Sequence, residues 1–308
     1  MKILIFGAGA IGSLFGGLLS KKYNVTLLGR KEHVEAINKK GLKIVGNTNF
    51  TAHPKAVISV KEKFDLIILT VKSYDTENAA KALKKIVCKE MIVLALQNGL
   101  ENEEILSVYL GAENILRGVT NHGVIFSAPG VIRHAGTGET VIGELDGKLT
   151  SRAKRIASIF NSVGIKTKIT NNVAREVWLK VIVNACINPI TAITGLRNRA
   201  LLNNRNIRSL AELACKEAVE VANCRGNKFS YSEIIKRVYQ VAELTGNNKS
   251  SMLQDVEKGK KTEIDFINGK ITKLGIKYKT NTPVNATLVT LVKCLEASDK
   301  SDRCTLHK

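Results

Sequence analysis

The chain opens on a short apolar run, Lys2–Phe6, which Gly7 breaks. Apolar side chains then recur at helical spacing over residues 11–21 (Ile11, Leu14, Phe15, Leu18, Leu19), and Asn24–Leu28 is a second apolar run. Strand, glycine turn, helix and strand in this order predict a βαβ unit. The alternation continues with helices over 34–40, 76–87 and 101–109 and strands at 42–45 and 115–120. Residues 65–71 (DLIILTV) and 91–96 (MIVLAL) are continuous apolar runs of the kind that parallel strands buried on both faces require. The rhythm then changes. Residues 124–126 and 131–134 flank Ser127-Ala128-Pro129-Gly130, a turn signal that predicts a hairpin, with 141–145 expected to join it. Helix 151–162 and strand 165–169 close this half.

Beyond about residue 170 the pattern is helical. Asn171 or Asn172 can cap a helix running through Trp178 and Val183, and Pro189 is expected to kink or end it just after Asn188. Helical periodicity recurs over 207–224, 231–243 and 263–274. Ser251-x-x-Gln254 reads as a capping box, and Thr262 as a cap with Asp265 at the third position of the next helix. The polar tail, 298–308, reads as frayed. The pattern therefore predicts an α/β N-terminal domain of the Rossmann-type, doubly wound class over residues 1–169. An all-α C-terminal domain over 170–308 follows, with the site in the interdomain cleft.

Length and composition agree with two globular domains: 308 residues, 44% hydrophobic and 24% charged. No apolar run reaches the roughly 18 residues of a membrane span, so no membrane partner is expected. The net charge of +20 raises nucleic acid as a partner. Residues 1–170 carry 24 basic and 14 acidic side chains and residues 171–308 carry 23 and 13, so each part contributes +10. A surplus spread this evenly, with aromatics at 5%, predicts a solvated basic surface that attracts anionic ligands, and no nucleic-acid partner. The six cysteines (Cys88, Cys186, Cys215, Cys224, Cys294, Cys304) form no C-x-x-C pair. Free thiols in a reducing, cytoplasmic compartment are expected, and no metal site is evident. Lys2 with the following ILIFGAGAIGSLFGGLLS imitates a signal peptide, but its glycines and the strand after it suit a βαβ unit better. A homodimer is compatible with the sequence.

Gly7-Ala8-Gly9-Ala10-Ile11-Gly12 is G-x-G-x-x-G between a strand and a helix. The glycines serve a tight turn, close approach of backbone to a pyrophosphate, and helix–strand packing, so dinucleotide binding is expected. The second strand ends Leu28-Gly29-Arg30-Lys31, with no acid at its tip to hold a ribose 2′-hydroxyl. Arg30 can grip a 2′-phosphate with its planar fork, which favours NADPH (NADP+) over NADH, although Glu32 lies close by in sequence. Lys72 and Asn98 follow buried-type strands, where ligands of open α/β sheets lie; each also has a plain reading, as a solvated Lys and an Asn-Gly turn. Lys180, Asn184 and Asn188 are four residues apart and stack on one helix face between apolar neighbours. Such a stripe needs polar partners or a wet cleft, and the Lys favours the cleft.

These segments together resemble the 2-dehydropantoate 2-reductase (ketopantoate reductase) family. The matching pieces are GAGAIG, TVKS around Lys72, LQNGL around Asn98, EVWLKVIVNACINPITAI around Lys180, and SSMLQDVEKGKKTEIDFING around Ser251 and Glu263, in family order over nearly the whole chain. The resemblance implies NADPH-dependent reduction of 2-dehydropantoate, a small 2-keto acid, to (R)-pantoate in pantothenate and coenzyme A synthesis. It implies Lys180 as general acid, with Glu263 in contact with that Lys or the cofactor. It implies Asn98, Asn184, Asn188, Asn198 and Ser251 as substrate contacts, Asn198 being the loosest match. His122 receives no role. Two alternatives stay open: a reductase of another branched 2-keto acid, and a non-catalytic NADP-sensing regulator, against which Lys180 and Glu263 argue.

Overall fold

The computed structural model describes residues 1–86, 88 and 90–298. Val87, Cys304 and nearly all of the polar tail thus lie outside the described residues. Twelve strands are described: β1 (Lys2–Phe6), β2 (Asn24–Leu28), β3 (Leu42–Gly46), β4 (Phe50–Ala52), β5 (Lys55–Val57), β6 (Leu66–Leu69), β7 (Ile92–Ala95), β8 (Ile115–Thr120), β9 (Gly123–Ala128), β10 (Val131–Gly136), β11 (Thr140–Glu144) and β12 (Thr167–Ile169). The α-helices are α1 (Ala10–Leu19), α2 (Lys31–Lys40), α3 (Thr76–Leu83), α4 (Asn102–Leu110), α5 (Ser151–Asn161), α6 (Val173–Thr194), α7 (Ala200–Asn203), α8 (Arg205–Cys224), α9 (Tyr231–Leu244), α10 (Ser251–Glu257), α11 (Asn268–Tyr278) and α12 (Pro283–Ala297). They separate into two compact units, Met1–Gln97 with Glu101–Glu176, and Asn98–Leu100 with the chain from Val177 onward.

In the first unit an eight-stranded sheet has the order β12-β11-β8-β7-β6-β1-β2-β5. Chain order runs outward from β1 on both sides, and every pairing is parallel except β8 with β11. The apolar runs explain the layers. Ile3 and Ile5 of β1 join one apolar cluster, with Phe15 of α1 and Phe160 of α5, while Leu4 joins a second cluster with Ala80 of α3 and Leu106 of α4. Alternating side chains of one strand thus feed two cores, one on each face of the sheet.

Residues 141–145 do not join the hairpin as expected. Thr140–Glu144 forms β11 and pairs antiparallel with β8, burying Ile142, while the β9–β10 hairpin enters a separate four-stranded sheet, β4-β3-β10-β9. Adjacency along the chain favoured the hairpin; the Thr140–Thr120 hydroxyl bond of 2.9 Å and the buried Ile142 favour the large sheet. The short strands β4 and β5 carry too few apolar residues to be read from pattern.

Buried histidines tie the small sheet down. The Gly130 N–H donates to His33 Nδ1 at 2.9 Å, and His33 Nε2 lies 3.0 Å from the Ser13 hydroxyl on α1. The acceptor role of Nδ1 fixes the neutral tautomer, with the proton on Nε2. His122 and His134 meet at 3.0 Å between Nδ1 and Nε2, and Thr48 reaches His134 Nδ1 at 2.9 Å. Burial pushes His33 and His122 down to about 4 and lowers His134 as well. His122, which also packs edge-on against Phe15, is a core residue.

The second unit is helical. The Asn172 carboxamide accepts the Arg175 N–H at 3.0 Å at the start of α6. The helix neither kinks apart nor ends at Pro189 but continues to Thr194. Pro189 cannot donate to the Ala185 carbonyl, which would normally leave that oxygen orphaned. Asn268 Nδ2 donates to it instead, at 3.1 Å. The same amide reaches Asn285 Oδ1 at 2.9 Å, and Asn285 Nδ2 donates to Glu217 Oε2 at 2.7 Å. A fully buried polar chain therefore fills the gap that proline opens. α6 is also long and apolar enough to cross a membrane, contrary to the reading of the apolar runs, because its polar residues are few and spaced; 72% of its apolar window is buried inside the protein.

Two caps differ from expectation. Ser250, not Ser251, caps α10, its hydroxyl accepting the Leu253 N–H at 3.1 Å. Thr262 accepts the Ile264 N–H at 3.2 Å just ahead of a 3-10 turn over Ile264–Phe266, whose N-cap is Glu263; the α-helix expected from 263 begins only at Asn268. Asp265 is drawn off to an ion pair with Lys293 at 2.7 Å. No disulfide joins the described cysteines, and burial against Cys215 pushes the Cys186 thiol up.

Candidate active site

The glycine loop follows β1 and leads into α1. Gly7 has φ +110°, and a Cβ there would lie 2.7 Å from the Val71 nitrogen. Only glycine tolerates that conformation and that approach. A Cβ on Gly12 would lie 2.5 Å from Thr70 Oγ1 and 2.9 Å from Ile5 Cγ2, so this glycine packs helix on strand. A Cβ on Gly9 would meet nothing within 4 Å. Gly9 is also the N-cap of α1, and no side chain caps it. The first-turn amides at Ala10, Ile11 and Gly12 thus face an open approach at the positive end of a helix, which is the arrangement a pyrophosphate needs. The Gly7 and Ala8 amides are already used, both donating to the Leu28 carbonyl. The loop therefore fits a dinucleotide.

Arg30 is the N-cap residue of α2, directly beyond β2 and exposed. Glu32 is exposed in the first turn of the same helix. Lys72 precedes the 3-10 turn Ser73–Asp75 at the end of the β6 segment, and Thr70 Oγ1 holds the Gly7 carbonyl at 2.7 Å. The Lys72 turn and the glycine loop are thus joined where chain order reverses about β1, the switch point at which open sheets bind ligands.

Asn98 leaves β7 and belongs to the helical unit. Its Nδ2 donates to Glu263 Oε2 at 3.3 Å, and the Leu100 N–H donates to the Phe266 carbonyl at 3.1 Å. Gly99 has φ +84°, and a Cβ there would lie 2.8 Å from that same carbonyl. Glu263 is 4% exposed and still polar-bonded, so it is a carboxylate built into the interior.

On α6, Lys180 and Asn184 are half-buried and Asn188 is buried, while Val181, Ile182, Ala185 and Cys186 between them are core residues. One turn beyond Asn188, Thr191 reaches Ser250 Oγ at 2.7 Å. Asn198 is buried and bonds Thr245 Oγ1 at 2.9 Å, and its amide holds the Asn248 carbonyl at 3.2 Å. These bonds gather the end of α6, the Asn198 turn and the start of α10 into one cluster. Ser251 follows at the first position of α10 and is exposed.

Sequence reasoning missed a buried network at the base of the Asn98 turn. Gln97 Nε2 donates to Thr76 Oγ1 at 2.7 Å, and Thr76 Oγ1 also lies 2.7 Å from Asn102 Oδ1. Arg117, 1% exposed, donates to the Ala95 and Gln97 carbonyls at 2.8 and 3.0 Å and pairs with Glu103 at 3.0 Å. Burial lowers the Arg117 pKa, and the Glu103 carboxylate offsets only part of that shift. A charged residue inside the otherwise apolar run 115–119 was the available signal.

A doubly wound sheet with this loop at its switch point, followed by a helical unit, defines a dinucleotide-binding protein. Models of the ketopantoate reductase PanE/ApbA family match residues 3–147, and of its C-terminal region residues 172–296. The chain belongs to the ketopantoate reductase family. It is 44% identical over 299 residues to the 2-dehydropantoate 2-reductase of Pyrococcus horikoshii, covering 96% of this chain and 98% of that protein. Among solved structures it resembles the PanE/ApbA family ketopantoate reductase of Ralstonia eutropha JMP134 (TM-score 0.88, 32% identity, 96% and 98% covered). It also resembles a D-mandelate dehydrogenase solved with NADH and anilino(oxo)acetate (TM-score 0.92, 29% identity, 96% and 98% covered).

Proposed function

We propose that this chain uses NADPH to reduce the 2-keto group of 2-dehydropantoate to (R)-pantoate, for pantothenate and coenzyme A biosynthesis in the cytoplasm. The observation that carries the reading is the composition of the helical unit. Asn98, taken from the end of a sheet strand, shares that compact unit with Lys180, Asn184, Asn188, Asn198, Ser251 and Glu263. Chemically diverse polar groups collected in one compact unit suit a small polar acid better than they suit helix packing.

A nicotinamide bound here would supply the hydride that the keto carbon takes up. The charge left on the substrate oxygen needs a cation or a proton, and the Lys180 ammonium provides both. A Lys in a partly dry site tends to lose its charge, and the buried Glu263 carboxylate opposes that loss. Asn98, held by Glu263, orients the reacting end of the cofactor or the substrate. Asn184, Asn188, Asn198 and Ser251 bind the carboxylate and hydroxyl without adding a second titrating group. Gly7 to Gly12 hold the pyrophosphate, Arg30 reads the 2′-phosphate, and Lys72 balances phosphate charge. Arg30 is the reason to favour NADPH over NADH.

A second reading is reduction of a different 2-keto acid, favoured by the D-mandelate dehydrogenase likeness. The test is oxidation of NADPH and NADH with 2-dehydropantoate against a panel of branched and aromatic 2-keto acids. The proposal expects the highest kcat/KM for 2-dehydropantoate with NADPH. A preference for phenylglyoxylate would favour the second reading, and no turnover of any keto acid would leave a sensor.

A further inference from the structure

We propose that Arg117 is a positioning residue for Asn98, clamping the neck of the turn that carries it. This inference rests on the reading of Asn98 as a ligand-contacting residue. β7 and β8 pair only as far as Ala95 and Arg117, while the opposite edge of β8 stays paired with β11 as far as Thr120. The carbonyl of Gln97 therefore leaves the sheet without a strand partner on that side. The Arg117 fork donates where that ladder ends, to Ala95 and Gln97 on β7's side and to its neighbour Gly118 at 2.9 Å. Its Nε faces Glu103, in the first turn of α4, at 3.0 Å. One guanidinium thus binds the chain just before Asn98 and just after Leu100.

A second brace parallels the first. Gln97 and Asn102 meet on Thr76 Oγ1, and Asn102 Nδ2 adds a bond to Ser73 Oγ at 3.3 Å. Both braces join residue 97 to the start of α4, the second wholly buried and the first from the buried Arg117 to the partly exposed Glu103. Between them Glu101 is held at φ +64°, a left-handed conformation that a glutamate adopts only at a cost. Such conformations persist where surrounding contacts over-determine them. Lys at position 117 would keep the charge opposite Glu103 but lacks the planar fork that reaches two carbonyls at once.

The test is a double-mutant cycle on the full chain: wild type, Arg117→Lys, Asn98→Ala and the double variant. The readouts are the dissociation constant for NADPH and kcat and KM with 2-dehydropantoate, beside a melting curve. Arg117→Lys should impair Asn98-dependent binding or turnover by about tenfold, and should add less than about twofold once Asn98 is already Ala. Losses that multiply in full in the double variant, or an Arg117→Lys protein with wild-type constants, overturn the proposal. Should Arg117→Lys fail to fold, Glu103→Gln, at a partly exposed partner, runs the same cycle with a smaller effect of the same non-additive kind. A wild-type protein that binds NADPH but reduces no keto acid defeats the proposed function alone, and the cycle is then read on NADPH binding.

Discussion

The glycine loop and α6 meet similar demands by opposite means. Both must present polar groups next to packed apolar chain. In the loop, the backbone does the work: Gly7 and Gly12 are dictated by sterics, and Gly9 by the open approach it leaves. In α6, side chains do it: a polar face of Lys180, Asn184 and Asn188 lies on a helix whose other faces are core, and a proline gap is filled from α11. Backbone requirements leave a local signature in sequence. Side-chain solutions join residues such as Ala185 and Asn268, far apart in the chain, and leave almost none.

The contrast can be broken most forcefully at Lys180. Its ammonium is the proposed acid, so Lys180→Ala should lower kcat by roughly 10²–10⁴-fold while NADPH still binds. Steady-state rates and fluorescence binding of NADPH check this, and a variant with wild-type kcat would contradict it.

Next in size is Asn268→Ala. It orphans the Ala185 carbonyl and Asn285 Oδ1 in a buried setting, which should cost about 4 kcal/mol. Adding Pro189→Ala restores the backbone donor and should recover part of the loss, as urea unfolding would measure. No recovery would mean that the Asn268 bond does not answer the proline.

Acid should separate the two units. His33 and His122 stay neutral until about pH 4, whereas unfolded histidine takes a proton near 6.5. Stability is therefore complete above about 6.5 and falls as pH drops toward 4, by up to roughly 3 kcal/mol for each histidine. Both belong to the α/β unit, while the single Trp, Trp178, belongs to the helical unit. Circular dichroism of the sheet should change before Trp178 fluorescence as pH falls from 6.5 to 4. Coincident changes, or Trp178 changing first, would contradict that asymmetry.

Arg30→Ala should weaken NADPH binding by roughly ten- to a hundredfold and leave NADH binding nearly unchanged. Equal losses would remove Arg30 as the reader of the 2′-phosphate. Asn184→Ala should act more mildly, mainly raising KM for the keto acid.

What the sequence displays and what it hides follow the same division. The strand runs DLIILTV and MIVLAL declare a buried parallel sheet because both faces need apolar side chains. The place of Thr140–Glu144 is hidden, since pairing with β8 or with the hairpin demands the same alternation. Ser250 and Ser251 are equally good caps on paper, and the hydroxyl reached by both Thr191 and Leu253 decides between them. For the candidate site, glycine spacing and the i, i+4 stripe mark the surfaces. The Asn98–Glu263 bond joins residues 165 apart and is visible only in the fold.

If Lys180 protonates the reduced substrate and Glu263 keeps it charged, the dependence of kcat on pH must carry the mark of both. Wild type should lose rate at high pH as the ammonium loses its proton. That limb should be absent in Lys180→Ala and should move to lower pH in Glu263→Ala. A high-pH limb that persists unchanged in Lys180→Ala would show that another group carries the proton.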